Sequence, residues 1–141
     1  MEQLLTFTIN HWYLVLLLVI ILSLLAYSEF SGQVHGVARI SPQQVVQLMN
    51  HEKAAVIDTR DGAAYNNGHI LGAIHSVPAD IKTRLEKFKK NKSRPIIIVC
   101  ASGQSAPKTG ALFIKEGFQK VMFLQGGMAA WQSASLPVTK E

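Results

Sequence analysis

Cysteine is almost absent from this chain: 141 residues include one, Cys100. A lone cysteine excludes an internal disulfide, fits a reducing compartment and leaves a free thiol. There is no CxxC pair, and His11, His35, His51, His69 and His75 are scattered rather than set at ligand spacing. No metal site and no cofactor is therefore expected. Internal repeats, low-complexity tracts and a GxGxxG phosphate motif are also lacking. Residues 1–28 contain no Lys or Arg, which argues against a secretory signal, whose start is normally positive. Ala26 and Ser28 keep the small-residue spacing of a cleavage site, so that alternative stays open.

What the first thirty residues do contain is apolar. From Trp12 to Tyr27 the one polar side chain is Ser23, and Leu14–Leu22 is unbroken. Ile9 to Ala26 would make about 27 Å of helix at 1.5 Å per residue, close to a hydrocarbon core. A buried core helix would show a polar face, and none is visible. Trp12 and Tyr13 at one end, with Tyr27 and Phe30 at the other, suit the aromatic belts of the two interfaces. One transmembrane helix is expected within an N-terminal segment 1–30. All fourteen basic residues lie downstream of it, so the positive-inside bias places a single-pass protein in the inner (plasma) membrane with its C-terminal part in the cytoplasm.

The remainder has room for one folded domain. Ser28–Gly36 is polar with two glycines and reads as a linker at 31–36, followed by a domain over 37–138 and a tail at 139–141. Ser41-Pro42 is an N-cap followed by proline at the first helical position, opening a helix to about Met49. Strands are expected at 54–58, 96–99 and 121–124, and helices at 81–90, 106–116 and 128–133. Alternating strands and helices predict an α/β fold, a parallel sheet with helices on its faces.

Cys100 sits where the β-branched run Ile96-Ile97-Ile98-Val99 stops and the small-residue loop Ala101-Ser102-Gly103-Gln104-Ser105 begins. Small residues let backbone amides approach one point, and a helix starts at about Ala106. Both favour an anion, which a sulfur nucleophile must become. Cys100 is the candidate catalytic residue, and Ala101, Ser102, Gly103, Gln104 and Ser105 are the candidate substrate-binding residues. The competing reading is a small buried hydrophobe at a strand end.

Five pieces stand in order: Val56-Ile57-Asp58-Thr59-Arg60; Tyr65-Asn66-Asn67-Gly68-His69-Ile70-Leu71-Gly72-Ala73-Ile74; the Cys100 strand and loop; Glu116-Gly117-Phe118; and Gly126-Gly127-Met128-Ala129-Ala130-Trp131 with Leu136-Pro137-Val138. Together they resemble the rhodanese-like (sulfurtransferase) domain over residues 37–138. With the apolar segment in front, the chain is similar to the membrane-anchored single-domain bacterial type. That resemblance implies a rhodanese-like sheet and a sulfane-sulfur carrier. The cysteine attacks thiosulfate or another persulfide, keeps one sulfur as Cys–S–S⁻, and passes it to a thiol or cyanide. The partners implied are a sulfur donor and a thiol acceptor, small molecules or proteins. Active members often carry a basic residue five positions after the cysteine, where this chain has Ser105. Replacing a charge-assisted contact by a neutral one costs about 1–2 kcal/mol of anion binding, so inefficient use of thiosulfate is expected. Related phosphatase-type loops end in Arg. Here no Arg lies between Cys100 and Lys108, and Pro107 has no N–H to offer.

Asp58 and Arg60 are expected to fix a turn rather than line a pocket, and His69 to be a satisfied structural imidazole. Trp131 reads as core or pocket wall, and Gly126-Gly127 as backbone geometry. Lys82 to Arg94 holds seven of the fourteen basic residues and one acid, Glu86. It reads either as a solvated face or as a segment attracted to anionic lipid. Few aromatics interleave with it, so no nucleic-acid partner is expected. Two alternatives to a sulfurtransferase are a catalytically weak module that docks partner proteins at the membrane, including a membrane protein, and a redox-sensing thiol.

Overall fold

The computed structural model describes residues 1–30, 33–34 and 36–140, in two compact units, Met1–Gly32 and Gln33–Glu141. Of the linker expected at 31–36, residues 31, 32 and 35 lie outside the described residues, while Gln33–Val34 form a strand of the domain's sheet.

The first unit is two helices, α1 (Glu2–Asn10) and α2 (Trp12–Phe30). The backbone leaves helical geometry at His11 (φ −123°, ψ 36°), whose N–H still bonds the Phe7 carbonyl at 2.9 Å. The expected single span over 9–26 is therefore corrected: Ile9 and Asn10 belong to α1. Among the described residues no helix is long and apolar enough to cross a membrane. α2 has 19 residues, about 28 Å at 1.5 Å per residue, of which the apolar run from Trp12 to Tyr27 makes about 24 Å, against a core of about 30 Å.

The second unit is an α/β domain. Its elements are β1 (Gln33–Val34), β2 (Val37–Ile40), α3 (Pro42–His51), β3 (Ala55–Asp58), α4 (Gly62–Asn67), β4 (Ile74–His75), α5 (Ile81–Phe88), β5 (Ile96–Val99), α6 (Ala106–Lys115), β6 (Val121–Leu124) and α7 (Gly127–Ser133). The sheet order is β1-β2-β6-β5-β3-β4. Every neighbouring pair is parallel except β1–β2, an antiparallel ribbon at one edge.

Alternation along the strands builds two core layers. Ile96 and Ile98 of β5 join Ala55 and Ile57 of β3 under α5 and α6, with Ile81, Leu85 and Phe113. Ile97, Val99 and Val56 face the other way, into a layer with Val45, Tyr65, Met128 and Trp131 from α3, α4 and α7. Because both faces are covered, all four residues of β5 are fully buried, which is why that strand is a continuous β-branched run.

Local signals set the helix starts. The Ser41 hydroxyl accepts from the Gln44 amide and the Gln44 side chain accepts from the Ser41 amide, a full capping box ahead of Pro42. Asp61 caps α4 through the Ala64 amide at 2.8 Å. The helix expected over 81–90 stops at Phe88 and tightens into a single 3-10 turn, Lys89–Asn91. These elements place the loop after β5 outside the carboxyl end of a central strand, where open parallel sheets present their binding loops.

Candidate active site

The site is built from the end of β5 and the ends of its neighbours. Val99, the last residue of β5, gives its carbonyl to both the amide and the hydroxyl of Thr59, at 2.8 and 3.0 Å. Beside it the buried Asp58 carboxylate takes the Arg60 amide at 3.1 Å and the guanidinium at 2.6–3.1 Å. Arg60 also donates to the Gly68 carbonyl at 2.8 Å. Asp58 and Arg60 thus hold a turn, as the sequence suggested. The strand that delivers Cys100 is tied down at the residue before the sulfur.

Cys100 itself is 4% exposed, and its side chain touches the α5–α6 core layer. Its sulfur is nevertheless not left to hydrocarbon. The Gly103 amide donates to it at 2.9 Å, and Gly103 can turn its N–H that way because it sits at φ +85°, a region that disfavours a side chain. Ser105 occupies the N-cap of α6 yet makes no side-chain cap bond. Its hydroxyl acts on the thiol instead, lowering its pKa. Burial is the largest influence on the thiol and would push its pKa up. The Ser105 hydroxyl and the amides of Ser105, Ala106 and Gly103 act in the opposite direction and together bring it below the ordinary thiol value.

The loop divides in two. Gly103 and Ser105 surround the sulfur, joined by Ala106, which sequence reasoning had placed only as the start of a helix. Ala101, Ser102 and Gln104 are exposed, and so is Ser105. Lys108 is exposed on α6. His69 is buried, bonds the Tyr65 carbonyl through Nδ1 at 2.9 Å and stacks on the Tyr65 ring at 3.8 Å, a structural imidazole. Trp131 donates to the Pro137 carbonyl at 3.0 Å. Among the described residues no group of His, Cys, Asp and Glu is placed to hold a metal ion.

The contribution that sequence reasoning missed comes from α7. The Met128 amide donates to the Cys100 carbonyl at 2.9 Å and the Ala129 amide to the Ala101 carbonyl at 3.2 Å. Gly126 and Gly127 are both left-handed, at φ +73° and +58°. The double glycine was legible as a backbone device, but not the loop that it supports.

A parallel sheet with a cysteine loop of this kind is matched by one family model, the Rhodanese-like domain, over residues 41–134. The chain belongs to the rhodanese-like sulfurtransferase family. Among curated rhodanese-like relatives, the thiosulfate sulfurtransferase GlpE of Shewanella oneidensis is 31% identical over 96 residues, covering 68% of this chain and 93% of its own length. The uncharacterized protein YibN of Escherichia coli (strain K12) is 28% identical over 141 residues, covering 99% of both chains, the apolar N-terminal segment included. The crystal structure of Alr3790 from Anabaena superposes with a TM-score of 0.61 at 26% identity, over 72% of this chain and 82% of that one. The rhodanese fold and family expected from the motifs are therefore present.

Proposed function

We propose that this chain is a membrane-tethered rhodanese that carries sulfane sulfur as a persulfide on Cys100. The observation that carries the reading is the Gly103 amide on the sulfur at 2.9 Å, in a loop that holds the thiol below its ordinary pKa without a cation. The thiolate attacks the outer sulfur of a donor R–S–SH or of thiosulfate. A Cys100 S–S bond forms, the donor's S–S bond breaks, and the donor leaves as a thiolate or as sulfite. An acceptor thiolate then attacks the outer sulfur, leaves with it as a new persulfide and returns Cys100 as thiolate. The anionic outer sulfur takes the place that the thiolate held before the loop amides.

Ser105 shapes the choice of donor. A neutral hydroxyl that lowers the Cys100 pKa offers the sulfonate of thiosulfate no charge. Persulfide donors, which bring no sulfonate, are the preferred class.

The tether is α2. Every described side chain from Trp12 to Tyr27 is exposed, and the hydroxyl of Ser23 is satisfied within the helix by the Val19 carbonyl at 2.7 Å, as a lipid environment requires. The apolar length is a few ångströms short of a typical core, a mismatch that bilayers absorb by local thinning. All basic residues follow this helix, which favours a cytoplasmic domain at the inner membrane. Within the basic segment, Lys89 pairs with Glu86, Lys92 bonds the Glu116 carbonyl and Arg94 the Lys53 carbonyl. Lys82, Arg84, Lys87 and Lys90 remain for anionic headgroups.

Intact-mass analysis with a persulfide donor tests the reading. One added sulfur, lost in Cys100→Ser, supports it. No adduct with any donor, together with partner proteins still crosslinked to Cys100→Ser, would favour the docking module instead. Recovery of the chain in the soluble fraction after cell lysis would remove the tether.

A further inference from the structure

The loop around Cys100 does not hold its shape alone. Its first two carbonyls are engaged from outside by the start of α7: Cys100 O by the Met128 amide at 2.9 Å and Ala101 O by the Ala129 amide at 3.2 Å. The fit leaves no room for a side chain. A Cβ on Gly127 would overlap the Cys100 carbonyl oxygen and lie 2.8 Å from both the carbonyl carbon and the oxygen of Ala101. All of these are backbone atoms, which cannot rotate aside. From the other side, a Cβ on Gly103 would stand 2.9 Å from the Gly126 nitrogen and 3.3 Å from the Leu124 carbonyl oxygen. Loop and turn therefore meet backbone to backbone.

We propose that Gly127 is a positioning residue for Cys100: by letting α7 close on the loop, it holds the carbonyls of Cys100 and Ala101 on the α7 side and so fixes the two peptides from which the chain turns the Gly103 amide onto the sulfur. A peptide plane is rigid, so holding the carbonyls of Cys100 and Ala101 fixes the amides of Ala101 and Ser102, the two peptides that lead into Gly103. The path by which the loop brings the Gly103 amide to the sulfur is thus set by a helix that begins more than twenty residues later in the chain. Gly126 has a different task. A Cβ there would meet the Ala130 Cβ at 2.7 Å, inside α7 itself, rather than the loop. The two adjacent glycines share a left-handed backbone but differ in what they touch, which makes them a matched pair for experiment.

This inference rests on Cys100 being the nucleophile of the proposed reaction, but its test needs no sulfur donor. The full chain in detergent is alkylated with iodoacetamide across pH, and the rate profile of Cys100 is recorded for each variant. Gly127→Ala moves the profile to higher pH and lowers the rate at pH 6 by about tenfold, because the rate follows the thiolate fraction. Gly126→Ala combined with Ala130→Gly keeps the wild-type profile, although it carries a comparable left-handed strain. A folded Gly127→Ala with a wild-type profile overturns the proposal, as does an equal shift in the Gly126 variant. If Gly127→Ala fails to fold, Ala129→Pro decides. It replaces the amide hydrogen on the Ala101 carbonyl by a ring carbon, which pushes that carbonyl away, in the first helical turn where proline is tolerated, and must shift the profile in the same direction; an unchanged profile sinks the idea. A wild-type chain that alkylates readily at low pH yet never forms a persulfide would end the transferase reading and leave this one standing.

Discussion

The amide of Gly103 donates to the sulfur of Cys100 across 2.9 Å, and the residue that makes this possible has no side chain and a left-handed backbone. A buried thiol is ordinarily harder to ionise. Here neutral dipoles outweigh burial, with no cation in the loop.

The alkylation profile of wild-type Cys100 lies at lower pH than that of a free thiol. Ser105→Ala moves it upward, because the Ser105 hydroxyl is the largest of the stabilising influences on the thiolate. The same shift links to folding. A thiol whose folded pKa is depressed contributes stability that is fully present above the unfolded value and is lost as pH falls through the folded value. Wild type should therefore gain stability over Cys100→Ser as pH rises between those two points. Urea melts at several pH values read this directly, and a flat difference would contradict it.

Ser105→Arg supplies the charge that the loop lacks. A guanidinium grips an oxyanion through paired donors, and recovering about 1–2 kcal/mol of anion binding corresponds to roughly tenfold in thiosulfate affinity. Loss of the Ser105 hydroxyl acts on both donors alike, so thiosulfate turnover should rise by about that factor relative to transfer from a protein persulfide donor. Equal changes for both donors would contradict the account of Ser105.

Arg60→Ala strands the Asp58 carboxylate, which is 1% exposed. Leaving one member of a buried pair costs about 3–5 kcal/mol, so the urea midpoint should fall substantially. Persulfide formed per folded molecule should remain, because the pair holds a turn and does not touch the sulfur.

Gly110→Ala runs against the usual rule. Alanine in mid-helix normally gains about 1 kcal/mol over glycine. A Cβ at Gly110, however, would lie 2.8 Å from both methyls of the fully buried Val37, and overpacking of this kind costs about 1–3 kcal/mol. Net destabilisation is expected, read as a lower thermal midpoint.

What could be read from the sequence follows from the range of the forces involved. The β5 run and the Ser41-Pro42 cap are local signals, and both stand where expected. The cysteine loop was recognisable because small residues after a stiff strand have few other uses. β4 was missed because Ile74-His75 is two residues long and owes its existence to pairing with β3. β1 was missed for the same reason. That Ser105 leaves α6 without a side-chain cap goes with its helical backbone (φ −88°, ψ −20°), which composition does not reveal. The support from α7 is tertiary. Gly126-Gly127 announces a left-handed turn, but nothing near it in the chain names Cys100 as the neighbour. The break at His11 was missed because Asn10-His11, just ahead of the apolar run, brings neither Gly nor Pro as a stop signal.

Mass analysis of the intact chain after exposure to thiosulfate and, separately, to a protein persulfide donor bears most directly on the central claim. The account predicts one sulfur added at Cys100, abundant with the persulfide donor, sparse with thiosulfate and absent in Cys100→Ser. An unmodified Cys100 with every donor, in a chain whose thiol is ionised and folded, would contradict it.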